Sequence, residues 1–129
     1  MERIRYTLKK NERLCKKKVI EQLTRQSENI KISEYPFLLI YKFVELPSPA
    51  QLLIAVSRKN FKTAVSRNKI KRIIRHLYRC NKLKIYEANE KNNMQLAIMI
   101  IYTAKELLPF KNLEVPFNKL IEKLCKNIA

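Results

Sequence analysis

The chain has 129 residues, 47% of them hydrophobic, and a formal net charge of +17 at pH 7. That length suits one compact domain, and no apolar run reaches the roughly 18 residues that a membrane helix needs. So large a positive charge strains a compact fold by self-repulsion, and a polyanion such as a nucleic acid would relieve that strain better than a membrane surface. The first residues lack the apolar stretch of a signal peptide, so we expect a cytoplasmic protein.

Several kinds of active site are excluded by the residues that are missing or scattered. All 11 acidic residues are glutamates spread along the chain, His76 is the single histidine, and glycine is absent. A two-metal nuclease site needs clustered carboxylates, and phosphate-binding loops need glycine. Cys15, Cys80 and Cys125 are far apart and odd in number, which favours neither a disulfide framework nor a zinc site. We therefore expect no catalytic residue and no metal site on the polypeptide.

The N-terminal third predicts a helix followed by a polar connector. Lys9–Thr24 has a candidate N-cap at Asn11 and a broad apolar face. Three consecutive lysines, Lys16, Lys17 and Lys18, lie beside that face, and a solvated surface is as good an interpretation of them as a ligand contact. Gln26–Glu34 is polar and is predicted to be a connector.

Two apolar segments then predict strands. Tyr35–Val44 is rich in aromatic and β-branched residues, and Gln51–Ser57 follows after the proline-containing loop Leu46–Pro49. Their spacing predicts a hairpin. Within the first strand, alternation places Phe37, Leu39 and Tyr41 on one side, opposite Leu38, Ile40 and Lys42.

The middle of the chain predicts a helix with two different faces. Leu46–Tyr86 contains eleven lysines or arginines and no acidic residue. A helix over Lys62–Cys80 gathers, within an arc of about 140°, the polar residues Arg67, Asn68, Lys71, Arg72, Arg75 and Arg79. The opposite arc carries Ile70, Ile73, Ile74 and Leu77, with Tyr78 near its edge. One face is suited to burial and the other to a polyanion.

The C-terminal third predicts a strand and a last helix. The first half of Asn81–Asn93 can continue the basic helix, and Met94–Thr103 is apolar enough for a central strand covered on both sides. Pro109 and Phe110 break the pattern before a helix over Leu113–Asn127, with Pro116 in its first turn. The order helix, strand, strand, helix, strand, helix predicts a single α+β domain around one small sheet.

Ala55–Arg79, which reads AVSRKNFKTAVSRNKIKRIIRHLYR, closely resembles the protein subunit of bacterial ribonuclease P. That family carries a strand, a short connector and a helix that opens with an Arg-Asn-Arg motif, here Arg67-Asn68-Lys69. Lys69 replaces the usual arginine, which keeps the charge but loses a bidentate fork. The resemblance extends over most of the chain, because the other elements follow in the family's order.

The resemblance implies a ribonucleoprotein that removes the 5′ leader of precursor tRNA by phosphodiester hydrolysis. Its RNA subunit would carry the active site and the Mg²⁺ ions, while the protein binds that RNA and the leader. No membrane and no small-molecule substrate is implied. The implied fold is one domain over residues 1–129, with helices packed on a four-stranded sheet. It includes a left-handed βαβ crossover around the basic helix, although right-handed crossovers are the general rule.

On this resemblance, two groups of residues are expected to meet RNA. The catalytic RNA is expected at Arg58, Lys59, Lys62, Arg67, Asn68, Lys69, Lys71, Arg72, Arg75 and Arg79. The leader is expected at Lys16, Lys17, Lys18, Phe37 and Tyr41, in a groove between the first helix and an exposed sheet face. For Phe37 and Tyr41, core packing and stacking on an unpaired nucleotide are equally good interpretations.

Other interpretations of the basic helix remain. A merely solvated face is weakened because no glutamate lies four residues from its cations. A DNA-binding regulator would need a partner helix immediately upstream, where the sequence predicts a strand. A basic protein of ribosomal type, acting without a catalytic complex, fits the same composition.

Overall fold

The computed structural model describes residues 13–14, 20–21, 30–45, 50–92 and 95–128. These residues include four strands and two long helices, in the order β1 Ile30–Glu34, β2 Phe37–Val44, β3 Ala50–Val56, α1 Ala64–Asn89, β4 Gln95–Tyr102 and α2 Phe110–Ile128. Most of the predicted first helix, with Lys16, Lys17 and Lys18, lies outside the described residues, although Ile20 and Glu21 are helical. No helix in the described part is both long and apolar enough to cross a bilayer.

The four strands form one mixed sheet in the order β1-β2-β4-β3. β2 is antiparallel to both β1 and β4, whereas β3 is parallel to β4. The central strand predicted from Met94–Thr103 is therefore confirmed, and Leu96 to Ile100 are all buried. The predicted hairpin is wrong, because β4 lies between β2 and β3. The most apolar strand buries more surface when it has a neighbour on each edge and layers on both faces.

Strand β1 occupies the end of the segment predicted as a connector, and the connector prediction is wrong there. Ile32 is buried while Lys31 and Ser33 are exposed, so the alternation is present but short. β1 pairs with β2 across a two-residue turn in which Glu34 lies opposite Phe37. Glu34 also forms a 2.6 Å ion pair with Lys123 of α2. Neighbouring elements, rather than the composition of β1, stabilise this strand.

Both helices pack on the same face of the sheet and enclose the main core. From β2, this core receives Phe37, whose ring meets that of Phe117 edge-on at 5.3 Å. From α1 it receives Ile70 and Ile74, so the predicted apolar face of that helix is confirmed, with Ile73 only partly buried. The opposite face of the sheet carries a smaller buried cluster formed by Leu14, Ile40, Ala97 and Met99.

The helix ends follow local chemistry. Thr63 caps α1, its hydroxyl oxygen accepting the Ser66 N–H at 3.2 Å. The expected continuation beyond Cys80 is confirmed, since α1 runs to Asn89. α2 begins at Phe110, three residues before the predicted start, so Pro116 lies inside the helix and not in its first turn.

The crossover from β3 through α1 to β4 is left-handed. The Leu14 N–H donates to the Leu52 carbonyl at 2.9 Å, on the edge of β3 that faces away from β4. The Leu52 side chain lies in the core on the helix-covered face. When an L-residue is viewed from its side-chain side with the strand running upward, its own N–H and C=O point to the right. Seen from the helix side with β3 running upward, the Leu14 segment lies to the right of β3 and β4 lies to its left, with α1 in front of the sheet. The left-handed arrangement that the resemblance implies is therefore confirmed.

Two adjacent isoleucines of α1, Ile73 and Ile74, should separate the effect of full burial from that of partial burial. Ile74→Ala should lower the free energy of unfolding by about 2–4 kcal/mol, because a fully buried side chain leaves a cavity. Ile73→Ala should cost roughly 1 kcal/mol, because part of that side chain already meets solvent. Urea denaturation of both variants measures the difference, and equal losses would contradict the packing of α1 described here.

Candidate nucleic-acid interface

The predicted polar face of α1 lies along one flank of the helix. Asn68 and Arg72 are exposed, whereas Arg67, Lys71, Arg75 and Arg79 are half-buried at the boundary with the core. Lys69, the third residue of the motif, is exposed on another side of the helix. The fold thus presents a row of cations along the boundary between the core and solvent.

Arg75 is at the centre of a group of arginines. Burial, together with the charges of Arg13, Arg79 and Arg72, lowers the pKa of Arg75 below its usual value. An arginine stays charged at neutral pH, so these influences disfavour the folded state instead of neutralising the group. Phosphate oxygens placed between such guanidinium groups would reverse the sign of this interaction.

Arg13 joins this group through backbone pairing that the sequence does not reveal. Arg13 lies opposite Leu52 in a parallel bridge, and the next residue, Leu14, donates its N–H to the Leu52 carbonyl. Arg13 and Leu14 lie within the predicted first helix but pair with the outer edge of β3, so the helix prediction is wrong at these two residues. Arg13 was expected to be an ordinary helix residue, and only this pairing places it beside α1.

The connector between β3 and α1 is a compact turn. The Ser57 carbonyl accepts the Phe61 N–H at 3.0 Å, and the Ser57 hydroxyl oxygen accepts the Lys59 N–H at 3.2 Å. Phe61 is buried with its ring 5.8 Å from that of Tyr102, which anchors the end of the turn. Arg58, Lys59 and Lys62 are exposed, so the turn holds three expected RNA-binding residues near the start of α1.

Arg67 is engaged within the protein. Its Nη1 donates to the carbonyl oxygens of Phe61 at 2.8 Å and Lys62 at 3.1 Å. The first residue of the motif therefore ties α1 to the preceding turn, a contact that the sequence pattern does not suggest. Its expected phosphate contact stays a prediction.

Phe37 and Tyr41 lie on the helix-covered face of the sheet, so the expectation that they line an exposed face is wrong. Their side chains are only 1% and 2% exposed. Burial raises the pKa of the Tyr41 hydroxyl, and Asn127 of α2 provides it with a hydrogen bond. Neither ring offers a free surface to a nucleotide. Alternation correctly grouped these side chains, but it does not tell which face the helices cover.

The other side of β2 carries the residues expected to face the opposite way. Lys42 is half-buried there, and Lys31 of β1 pairs beside Ile40 on the same face. Leu38 and Val44 are partly buried and pack against the smaller apolar cluster. This face combines cations with apolar surface.

The thiols and the histidine of the described part form no metal-binding group. The exposed His76 has its Nε2 3.9 Å from the Cys80 sulfur and its ring 6.0 Å from that of Phe110. Burial raises the pKa of Cys125, which disfavours its thiolate. Within residues 13–14, 20–21, 30–45, 50–92 and 95–128, no three histidine, cysteine or acidic side chains are placed to hold a metal ion.

Comparison with known proteins assigns the family. The family model described as Ribonuclease P matches residues 8–125. The ribonuclease P protein component of Chlorobium phaeobacteroides is 32% identical over 129 residues, covering 92% of this chain and 88% of that protein. The corresponding protein of Porphyromonas gingivalis strain ATCC 33277 is 26% identical over 125 residues, covering 95% and 90%.

The fold agrees with this assignment. The solved structure of the RNase P protein from Thermotoga maritima matches with a TM-score of 0.67 at 22% identity, covering 87% of this chain and 96% of that chain. The basic helix, the connector before it and the mixed sheet all lie within the residues that the family model matches. This chain therefore belongs to the ribonuclease P protein family.

Proposed function

We propose that this protein binds the catalytic RNA subunit of ribonuclease P through the cationic flank of α1, and that the complex removes the 5′ leader of precursor tRNA. The observation that carries the proposal is the group of arginines around Arg75, where burial and the like charges of Arg13, Arg79 and Arg72 lower the pKa of the guanidinium and so disfavour its charged form. Phosphate groups placed near these guanidinium groups would make the local electrostatic interaction favourable. Family membership makes the protein a component of an endoribonuclease holoenzyme and supports this choice of RNA.

The protein side of the reaction is binding and orientation. Arginine and lysine side chains on α1 would contact phosphates, while Asn68 would add hydrogen bonds that fix the register. The described residues offer no carboxylate cluster, and we propose that the Mg²⁺ ions are held by the RNA subunit and the substrate. Bound there, Mg²⁺ would activate water and stabilise the developing charge.

The DNA-regulator alternative conflicts with the fold. A helix-turn-helix places a helix directly before its recognition helix. Here β3 and the connector precede α1, and β3 is fixed in the sheet beside β4. α1 therefore lacks the upstream helix that this alternative requires.

For the leader, we propose the sheet face that carries Lys42 and Lys31. This face is opposite Phe37 and Tyr41, and its cations lie beside the partly buried Leu38. Contacts from lysine to phosphate carry no sequence information, which suits substrates with unrelated leaders. Lys16, Lys17 and Lys18, outside the described residues, remain proposed partners of the leader backbone.

The first test separates the protein from its complex. Purified protein freed of RNA should leave precursor tRNA intact in the presence of Mg²⁺, because its sequence has a single histidine and no clustered carboxylates to support hydrolysis. Added to the ribonuclease P RNA of the same organism at low salt, it should accelerate leader removal, measured by gel electrophoresis of labelled substrate. Specific cleavage by the protein alone, or no effect on the RNA-catalysed reaction, would contradict the proposal.

A second test uses the cost of crowding arginines. Arg75→Met keeps an aliphatic stem but removes the charge, so at low salt the free energy of unfolding should rise by roughly 0.5 kcal/mol. The same variant should bind the RNA subunit more weakly, and the slope of log affinity against log salt should fall by nearly one counterion.

The matched control is Lys91→Met, since Lys91 is exposed just beyond the end of α1, which runs roughly 21 Å along its axis from Arg75 to Asn89. It should change neither the salt slope nor low-salt stability appreciably. Destabilisation by Arg75→Met with an unchanged salt slope would make Arg75 a structural residue.

A third test concerns the leader. Lys42→Ala should weaken holoenzyme affinity for precursor tRNA about three- to tenfold, the effect of losing roughly 1 kcal/mol of phosphate contact. Affinity for mature tRNA, which has no leader, should stay within about twofold of the starting value. Filter binding with both RNAs measures the ratio. Equal weakening of both RNAs would remove Lys42 from the leader path.

A further inference from the structure

We propose that Arg67 is a positioning residue, which promotes RNA binding by holding the turn Ser57–Lys62 against α1. This inference rests on the proposed function, because the turn matters only if Arg58 and Lys59 meet RNA. It differs from the expectation that Arg67 itself contacts a phosphate.

The geometry of Arg67 supports an internal role. One nitrogen, Nη1, donates to two consecutive carbonyl oxygens, those of Phe61 and Lys62. The side chain is half-buried, and its own backbone N–H closes the first turn of α1 on the Thr63 carbonyl at 3.2 Å. Arg67 thus joins the last two residues of the turn Ser57–Lys62 to the first turn of α1.

The opposite end of the turn is fixed by Ser57. Its hydroxyl oxygen accepts the N–H groups of Lys59 and Asn60, at 3.2 and 3.4 Å, and its carbonyl accepts the Phe61 N–H. Between the two fixed ends, Arg58 and Lys59 are exposed. Two long cationic side chains on an ordered turn lose less entropy on binding than the same side chains on a mobile loop.

A lysine would not replace Arg67 in this role. The planar guanidinium holds its donors at fixed directions, whereas an ammonium is a compact, strongly hydrated charge on a flexible stem. Arg67→Lys therefore keeps the net charge while weakening the hydrogen bonds to the Phe61 and Lys62 carbonyls. A direct, nonspecific phosphate contact would tolerate the same exchange much better. The conservative substitution consequently distinguishes the two roles.

The first measurement is made on the protein alone. In Arg67→Lys, hydrogen exchange at the Phe61 and Lys59 amides, followed by NMR, should accelerate about tenfold or more. The reason is that the lost Arg67 hydrogen bonds no longer hold the turn in place. Exchange at amides in the middle of α1 should not change. Unaltered exchange at Phe61 would overturn the inference whether or not the protein binds ribonuclease P RNA.

The second measurement is binding to ribonuclease P RNA of the same organism. Arg67→Lys should weaken affinity about tenfold and lower the salt slope by one to two counterions at constant charge. Arg72→Lys, on an exposed side chain of the same face, should lose no more than about threefold and keep its slope. Equal behaviour of the two variants would place Arg67 among the direct contacts.

A double-mutant cycle locates the effect in the turn. In an Arg58→Ala/Lys59→Ala background, Arg67→Lys should lower RNA affinity by less than about twofold. The turn then no longer carries the cationic side chains that Arg67 positions. If Arg67→Lys folds poorly, Ser57→Ala serves as the second variant, because it leaves every charge in place. It should reproduce part of the loss of RNA affinity. Additive losses in the cycle would overturn the inference. Failure of the unmodified protein to bind the RNA would instead refute the proposed function.

Discussion

The architecture depends on how one helix is divided between core and solvent. α1 buries Ile70, Ile74 and Leu77 against the sheet, while its flank carries Arg72, Arg75 and their neighbours. Apolar burial must hold the helix in place against the repulsion of those cations. A polar partner for each cation would stabilise the isolated protein, but it would also compete with phosphate. Burial and like charges disfavour the charged form of Arg75 in the isolated protein, and phosphate contacts in the proposed complex would offset that effect.

The left-handed crossover determines what lies beside this flank. α1 packs over β3, whereas α2 packs over β1 and β2. The outer edge of β3 is consequently close to α1, and there the pairing of Leu14 with Leu52 adds Arg13 to the cations of the helix. Two segments distant in sequence thereby contribute to one cationic surface. With the opposite hand, β4 would lie on the side of β3 where this segment now pairs.

The sequence predicted those features that long periodic patterns determine. α1 was predictable because its two faces persist over several turns, and β4 because few polar residues interrupt it. β1 was not, since five residues with three polar side chains acquire strand structure from neighbours. The false hairpin arose because adjacency in sequence usually implies pairing, whereas here a crossover inserts β4 between the two strands.

The candidate site was predictable in part for a related reason. Helical spacing groups the cations of α1, but it does not show that Arg67 is bound to Phe61 and Lys62. Alternation groups Phe37 with Tyr41, yet covering by the helices decides that both are buried. The contribution of Arg13 depends on a backbone pairing between distant segments. Each of these features is a tertiary contact, which one-dimensional patterns do not encode.

The central claim is that the cationic flank of α1 recognises one structured RNA. Affinity capture of the tagged full chain from its own cells, followed by sequencing of the bound RNA, tests this most directly. The account predicts one abundant non-ribosomal RNA of several hundred nucleotides that folds as a ribonuclease P RNA, and predicts its loss when Arg72 and Arg75 are both replaced by methionine. Recovery of ribosomal RNA alone, or of the same RNA in undiminished amount with the double variant, would contradict it.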